Sequence, residues 1–134
     1  MPTGCTRQME AAMYELFVED HFDAAHYLPE YQGKCERLHG HRFKVVVRVT
    51  ADRLDTGGMA YDFAEMKRLL REALTVLDHN CLNELPDFTS TAPSSENIAS
   101  WLYARLEPGF STTPVKLGAV EVWESPTAGV VYRP

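Results

Sequence analysis

Apolar and polar residues alternate along two stretches in the N-terminal half of the chain, a pattern that is typical of half-buried β-strands. The alternation predicts a first strand over 14–21 and a second, longer strand over His39–Ala51. Successive side chains of a strand point to opposite faces, so Val45, Val47 and Val49 are expected to share the buried face of the second strand.

Apolar residues at helical spacing predict two helices in the middle of the chain. The first begins near Phe63, keeps its apolar stripe as far as Leu77, and closes at 78–80. The second is predicted over Ser95–Leu106, with Ser94 or Ser95 as its N-cap.

A loop over 80–94 is expected between the helices, and two closing strands follow over 115–124 and 129–133. The order strand, strand, helix, helix, strand, strand predicts an α+β fold in which antiparallel strands carry the helices on one face. We expect a short N-terminal leader over 1–12 and one domain over 13–134.

Composition narrows the class of protein. The 134 residues are 45% hydrophobic and 24% charged, as in an ordinary soluble globular domain. A net charge of −6 argues against a nucleic-acid-binding surface. Apolar runs fall far short of the roughly 20 residues that cross a bilayer, and no secretory signal is apparent, so no membrane partner is expected. Three cysteines without framework spacing favour reduced thiols and a cytoplasmic location.

The most informative motif is His39-Gly40-His41, at the start of the second strand. Its two imidazoles are expected to point to the same face. Three neutral imidazoles with an open fourth position are a recurrent catalytic zinc site. The candidates for the third ligand are the remaining histidines, His21, His26 and His79. Of these, His26 lies just past the first predicted strand, which pairs with the second if the sheet is antiparallel.

Cys35 lies four residues before this motif, between Lys34 and Arg37. Neighbouring positive charge favours the thiolate, which is both a nucleophile and a metal ligand. The spacing leaves three interpretations open: a reactive thiolate, a structural zinc ligand, or a buried inert thiol.

Two carboxylates complete the set of residues suited to chemistry. Asp78 precedes His79 at the end of the first helix, where the two form either a proton-transfer unit or an ordinary polar helix end. Glu124 follows the apolar run of the third predicted strand, and its carboxylate suits a ligand that donates two parallel hydrogen bonds. Glu121 is expected on the opposite face, exposed to solvent. The local cations that are candidates for phosphate contacts are Lys34, Arg37, Arg42 and Arg133.

Taken together, these motifs resemble the 6-pyruvoyl-tetrahydropterin synthase and 6-carboxytetrahydropterin synthase family over nearly the whole chain. The matching segments, in family order, are 22–26, 35–41, 61–63, 77–83, 93–97 and 122–124. The three-residue gap between Cys35 and His39 is closer to the bacterial carboxytetrahydropterin synthases than to the animal pyruvoyl enzymes.

The resemblance implies a T-fold, a four-stranded antiparallel sheet with two helices between its second and third strands, assembled as an oligomeric barrel. It also implies trimers and hexamers with sites at subunit interfaces. The site residues that it implies are zinc ligands His26, His39 and His41, catalytic Cys35, Asp78 and His79, and pterin contacts Glu124, Ser94 and Ser95.

The function implied is a zinc-dependent lyase that converts 7,8-dihydroneopterin triphosphate to 6-carboxy-5,6,7,8-tetrahydropterin, a precursor of queuosine. Two alternatives keep the substrate and change the product to pyruvoyl-tetrahydropterin or, through Glu36, to the 6-hydroxymethyl-dihydropterin of folate synthesis. A third is a non-enzymatic assembly module, in which Cys35 joins the histidines in closing a structural zinc site.

Overall fold

The computed structural model describes residues 13–29 and 37–134, which form one β-sheet with two α-helices against one of its faces. The strands are β1 (Tyr14–His26), β2 (His39–Ala51), β3 (Asn80–Cys81), β4 (Lys116–Ser125) and β5 (Ala128–Tyr132), and the helices are α1 (Phe63–Leu74) and α2 (Ser95–Leu106). Short 3-10 turns lie at Leu82–Glu84, Pro86–Phe88 and Glu107–Gly109. The expected leader over 1–12 lies outside the described residues.

The order of the strands in the sheet is β3-β1-β2-β4-β5. The pairs β1–β2, β2–β4 and β4–β5 are antiparallel, whereas β3 runs parallel to β1. The α+β class is therefore confirmed, but the described sheet has five strands and is mixed, rather than four-stranded and antiparallel. β3 lies within the predicted loop over 80–94, and at two residues it is too short to show an alternating pattern.

β1 extends five residues beyond its predicted end and carries His26 as its last residue. The apolar alternation of the sequence is interrupted at Asp20, which lies on the core-facing side of the strand. Arg71 of α1 compensates that carboxylate, with Nη1 3.2 Å from Asp20 Oδ2. The strand continues to Phe22, which pairs with Phe43 of β2, and to His26, which pairs with His39.

The hydrophobic core lies between the helices and the face of the sheet that holds Phe22 and Phe43, whose rings stack 4.8 Å apart. Both helices begin at side-chain caps: Asp62 accepts a hydrogen bond from the Ala64 amide, and Ser94 accepts one from the Asn97 amide. The helical residues that are buried are Met66, Leu70, Ala73 and Leu74 in α1, and Ser95, Ile98, Ala99, Leu102 and Leu106 in α2. No helix in the described part of the chain is long and apolar enough to span a membrane.

Glu121 corrects one expectation on the opposite face of the sheet. It lies on that face as predicted, but it is only 7% exposed rather than solvated. Its carboxylate accepts hydrogen bonds from Nε of Arg48 and Nε1 of Trp123. Burial alone would raise the pKa of Glu121, but these two hydrogen bonds outweigh it and hold the pKa below the ordinary value.

Candidate metal centre and active site

Three histidines meet at the end of the β1–β2 pair. Their ligand nitrogens all lie within 4.8 Å of one another. His26 lies directly opposite His39, and His41 is two residues further along β2, opposite Ala24. The antiparallel register and the two-residue period of a strand therefore place all three rings on the core-facing side. The ring centroids are separated by 4.6 to 5.2 Å.

Backbone carbonyls fix the orientation of two of these rings. Nδ1 of His26 donates to the Pro93 carbonyl at 2.8 Å, and Nδ1 of His39 donates to the Arg37 carbonyl at 2.7 Å. A carbonyl only accepts, so each of these rings carries its proton on Nδ1 and keeps a lone pair on Nε2. This is the arrangement by which proteins present a neutral imidazole to a metal.

His26 supplies the most direct indication that the histidine group could bind a metal ion. It is 1% exposed, and its Nε2 has no hydrogen-bond partner among the described residues. The nearest acidic oxygen, Oε1 of Glu124, is 3.9 Å away, too far for a hydrogen bond. A buried acceptor of this kind is costly unless something binds it. Imidazole nitrogens are common zinc ligands, so the chemistry of the three histidines fits a zinc ion.

Glu124 and Ser95 lie beside the histidines. The Ser95 hydroxyl donates to Oε1 of Glu124 at 2.9 Å, which leaves Oε2 for another donor. Both residues line a cavity of about 200 Å³ that also includes Gly129. Glu124 is 36% exposed, so a ligand can reach a carboxylate whose orientation is already fixed.

The two neighbouring serines have different surroundings. Ser94 caps α2, whereas Ser95 is buried and holds Glu124. The residue before them, Pro93, holds His26. The segment 93–95 thus connects the candidate ligand His26, the helix cap and the carboxylate of Glu124.

Asp78 and His79 form a second group, which docks on β1 at Asp23. The Asp23 amide donates to Oδ1 of Asp78 at 2.9 Å, and the His79 amide donates to the Asp23 carbonyl at 2.6 Å. Nδ1 of His79 lies 3.1 Å from Oδ1 of Asp78, so these sequence neighbours do face each other. His79 achieves this with a φ of 60°, in the left-handed region that non-glycine residues seldom occupy.

Hydrogen bonding keeps Asp78 ionised. The pKa of Asp78 lies below its ordinary value, first because of the Asp23 amide and, against a smaller effect of burial, because of His79 and Arg71. The imidazole of His79 is 78% exposed and lines a cavity of about 540 Å³. His41 lines the same cavity, so one member of each group faces the same space.

Several predicted residues lie outside the described part of the chain. These are Lys34, Cys35 and Glu36. Their expected roles stay predictions. Cys81 is described and is a free thiol that lines the cavity beside His79. Arg42, expected as a phosphate contact, has Nε 3.4 Å from Oδ1 of Asp23.

Sequence reasoning missed three residues that hold the site together. Pro93 orients His26 through its carbonyl. Asn83 exchanges two hydrogen bonds with the backbone of Tyr27, directly after His26, at 3.0 and 2.9 Å. Arg71 links α1 to both Asp20 and Asp78. A proline carbonyl carries no sequence signal, but the charge of Asp20 within an apolar face is a signal that could have indicated a cation such as Arg71.

Comparisons with known proteins agree with this geometry. The sequence profile of the 6-pyruvoyl tetrahydropterin synthase family matches residues 15–134. A 6-carboxy-5,6,7,8-tetrahydropterin synthase of Synechocystis is 41% identical over 129 residues, covering 90% of this chain and 93% of that protein. One from Bacillus subtilis is 34% identical, covering 90% and 86%. The structure of Caenorhabditis elegans 6-pyruvoyl tetrahydropterin synthase superposes with a TM-score of 0.81 at 27% identity, covering 92% of this chain and 97% of that one.

Proposed function

The chain belongs to the 6-pyruvoyl tetrahydropterin synthase family, and from this premise we propose that it is a zinc-dependent 6-carboxy-5,6,7,8-tetrahydropterin synthase. The proposed substrate is 7,8-dihydroneopterin triphosphate, which takes up one water and releases acetaldehyde and triphosphate. The observation that carries the proposal is the juxtaposition of the three-histidine group with Glu124, whose Oε1 is 3.9 Å from Nε2 of His26. Similarity to the two bacterial enzymes favours the carboxy product.

His26, His39 and His41 would hold the zinc ion. Bound there, zinc would supply a Lewis acid beside the substrate side chain and a positive charge that offsets developing negative charge. Pro93 and Arg37 orient two of the three rings, so this part of the site is organised by the fold.

Glu124 is proposed to anchor the pterin ring. The 2-amino and N3 groups of a pterin are adjacent donors, and a carboxylate accepts two parallel hydrogen bonds from such a pair. Ser95 holds one of the two oxygens, and the adjacent Ser94 lies at the same end of α2. Fixing the ring at this distance from the histidines would deliver the side chain to the metal, which is catalysis by positioning.

Cys35, Asp78 and His79 are proposed to move protons. Cys35 would remove a carbon-bound or hydroxyl proton of the side chain as a thiolate. His79 would exchange a proton from the opposite side, with Asp78 orienting its imidazole. The hydrogen bonds to Asp78 and the cavity shared by His79 and His41 support this pairing.

The test is incubation of the zinc-loaded protein with 7,8-dihydroneopterin triphosphate, followed by mass spectrometry of the products. We expect 6-carboxytetrahydropterin and acetaldehyde. Pyruvoyl-tetrahydropterin, or a hydroxymethylpterin that disappears in Glu36→Ala, would replace the proposed product with one of the two alternatives. No turnover would contradict the proposed activity.

Cys35→Ala separates a catalytic thiolate from a structural zinc ligand. We expect this variant to lose turnover and keep its zinc, because the three histidines hold the ion. Loss of zinc from the variant would make Cys35 a ligand and support the assembly module.

We also propose that the protein is a trimer or hexamer with its sites at subunit interfaces. The open edge of β1 supports this, because β3 pairs only with Ala24 and Ala25 in the described part of the sheet. An unpaired edge of this length is a template for a strand of another copy. Light scattering after size-exclusion chromatography tests the assembly, and a monomer at all concentrations would contradict it.

A further inference from the structure

The guanidinium of Arg71 contacts residues outside the histidine group and the Glu124 carboxylate. It lies in the last turn of α1, and its guanidinium reaches across to the β1 edge. Nη1 lies 3.2 Å from Oδ2 of Asp20 and 3.3 Å from the carbonyl of His21. Nη2 lies 3.5 Å from Oδ2 of Asp78. One side chain thus connects the helix, the strand and the residue before His79.

The contact with Asp78 is made through the oxygen that its other partners leave open. Oδ1 accepts the Asp23 amide and faces Nδ1 of His79, whereas Oδ2 faces Arg71. The carboxylate is therefore held from both sides, and its plane is fixed relative to the imidazole. In the described part of the chain, Arg71 and His79 are the basic side chains with a nitrogen within 4 Å of a carboxylate oxygen of Asp78.

Other charged groups nearby do not replace Arg71 in this arrangement. Arg42 of β2 pairs with the side chain of Asp23, not with Asp78. The backbone of His79 is in the left-handed region, and its imidazole ring is mostly exposed. Packing therefore does little to fix the orientation of the ring. Its direction depends on the Asp78 carboxylate, and a misdirected proton-transfer group loses rate steeply.

We propose that Arg71 is a positioning residue that holds the Asp78 carboxylate in the orientation from which it directs the His79 imidazole into the shared cavity. The role of His79 in turnover rests on the proposed function. The contacts of Arg71 do not, so the two can be tested separately.

Arg71→Met removes the charge and keeps much of the apolar stem. We expect kcat to fall about tenfold, because the proton-transfer group is misdirected in the transition state. KM and bound zinc should stay at wild-type values, because the histidine group and Glu124 are untouched. A purely structural residue would instead change stability and KM together.

Arg68→Met is the matched control, one turn earlier on α1. Arg68 pairs only with Glu65 and Glu72 of its own helix among the described residues. We expect wild-type kcat from it. Asp20→Asn is the second control: it weakens the link between α1 and β1 without touching Asp78, and should also keep kcat.

Coupling to Asp78 decides the mechanism. In an Asp78→Asn background, Arg71→Met should cost nothing further, since the carboxylate through which it acts has gone. An equal loss of kcat in both backgrounds would overturn the proposal, as would unchanged kcat in the single variant.

A readout without turnover keeps this test independent of the proposed activity. With ¹⁵N-labelled histidine, we expect the ring nitrogens of His79 to shift in Arg71→Met and not in Arg68→Met. If wild-type protein fails to turn over dihydroneopterin triphosphate, the proposed function fails, and this comparison still decides the role of Arg71. Identical His79 signals in both variants and the wild type would overturn it.

Discussion

Ser95 donates its hydroxyl to Oε1 of Glu124 across 29 positions of sequence, joining the first turn of α2 to the end of β4. Glu124 is followed by Ser125, the last residue of its strand, and the carboxylate would otherwise be free to rotate at the sheet's end. The hydrogen bond therefore sets the direction in which the carboxylate faces the cavity that it lines.

Ser95→Ala should raise the KM for the pterin substrate by about 10- to 100-fold, since a hydrogen bond to a charged group is worth roughly 1.5–3 kcal/mol. The effect on kcat should be smaller, because the serine does not reach the reacting side chain. Steady-state kinetics measure both constants. A fall in kcat alone would contradict an orienting role in binding.

Ser94→Ala is the matched neighbour, and its principal effect should be on stability. Its hydroxyl caps α2, and loss of an N-cap costs about 1 kcal/mol. For a chain of this size we expect Tm to fall by about 3–4 °C. Thermal unfolding of the two alanine variants side by side separates the roles, and equal Tm losses would contradict the separation.

His26→Ala should abolish tight zinc binding. The loss of zinc affinity should exceed the roughly 10–100-fold loss that follows removal of a residue hydrogen-bonded to a ligand. His26 is the ligand from β1, and the two histidines of β2 alone form an incomplete set. Metal analysis after dialysis against a weak chelator measures the loss. His21→Ala, on the opposite face of the same strand, is the control and should keep about one zinc per chain. Full zinc retention in His26→Ala would contradict the assignment.

Glu121 should make the protein acid-sensitive. Its folded pKa is lowered, so the unfolded chain binds the proton more readily and stability rises with pH. The contribution of Glu121 to the free energy of unfolding is complete above the ordinary carboxyl pKa of about 4.3. It is lost as the pH falls through the lower pKa that this carboxyl has in the folded protein. Asp78 contributes in the same direction.

Glu121→Gln tests this contribution. It should lower the free energy of unfolding at pH 7 by about 2 kcal/mol, since it leaves Arg48 without its closest charge partner. Between pH 5 and pH 3, roughly the range in which carboxyls titrate, the variant should lose less stability than the wild type. Urea unfolding across this range measures both, and parallel pH profiles would contradict the assignment. Glu15→Gln, on the exposed side of Arg48, is the control and should change stability little.

Gly129→Ala should destabilise the β4–β5 hairpin. An added Cβ would lie 2.7 Å from Cδ2 of Trp123, so the indole must move. Overpacking of this kind costs about 1–3 kcal/mol. Gly118→Ala is the control, since its Cβ would meet Thr50 at an ordinary 3.5 Å. Chemical unfolding monitored by tryptophan fluorescence compares them, and equal stabilities would contradict the packing argument.

The sequence was sufficient for the elements that repeat a pattern. β2 and α2 have their predicted bounds, because each has an uninterrupted apolar period and α2 also has a serine cap. β1 exceeded its predicted length because the charge of Asp20 interrupts the apolar face, and the compensating Arg71 lies 51 positions away. β3 was missed because two residues carry no period.

In the candidate site, too, the sequence predicted what a regular spacing determines and missed what depends on distant contacts. The His-Gly-His spacing predicted that two imidazoles share a face, and the structure brings His26 to them through the register of β1 with β2. The facing of Asp78 and His79 was left open by sequence, because it depends on the left-handed backbone at His79 and on the amide of Asp23. The prediction that Glu121 is exposed was wrong, because its partners Arg48 and Trp123 lie on the same face of the sheet and cover it.

Phe43 contacts His26 and His41 edge-on, with ring centroids 5.4 Å away in each case, and stacks on Phe22 beneath. The two phenylalanine rings thus lie between the histidine group and the rest of the hydrophobic core. We therefore expect replacement of His39 or His41 to change metal binding while the stacked pair beneath keeps its packing.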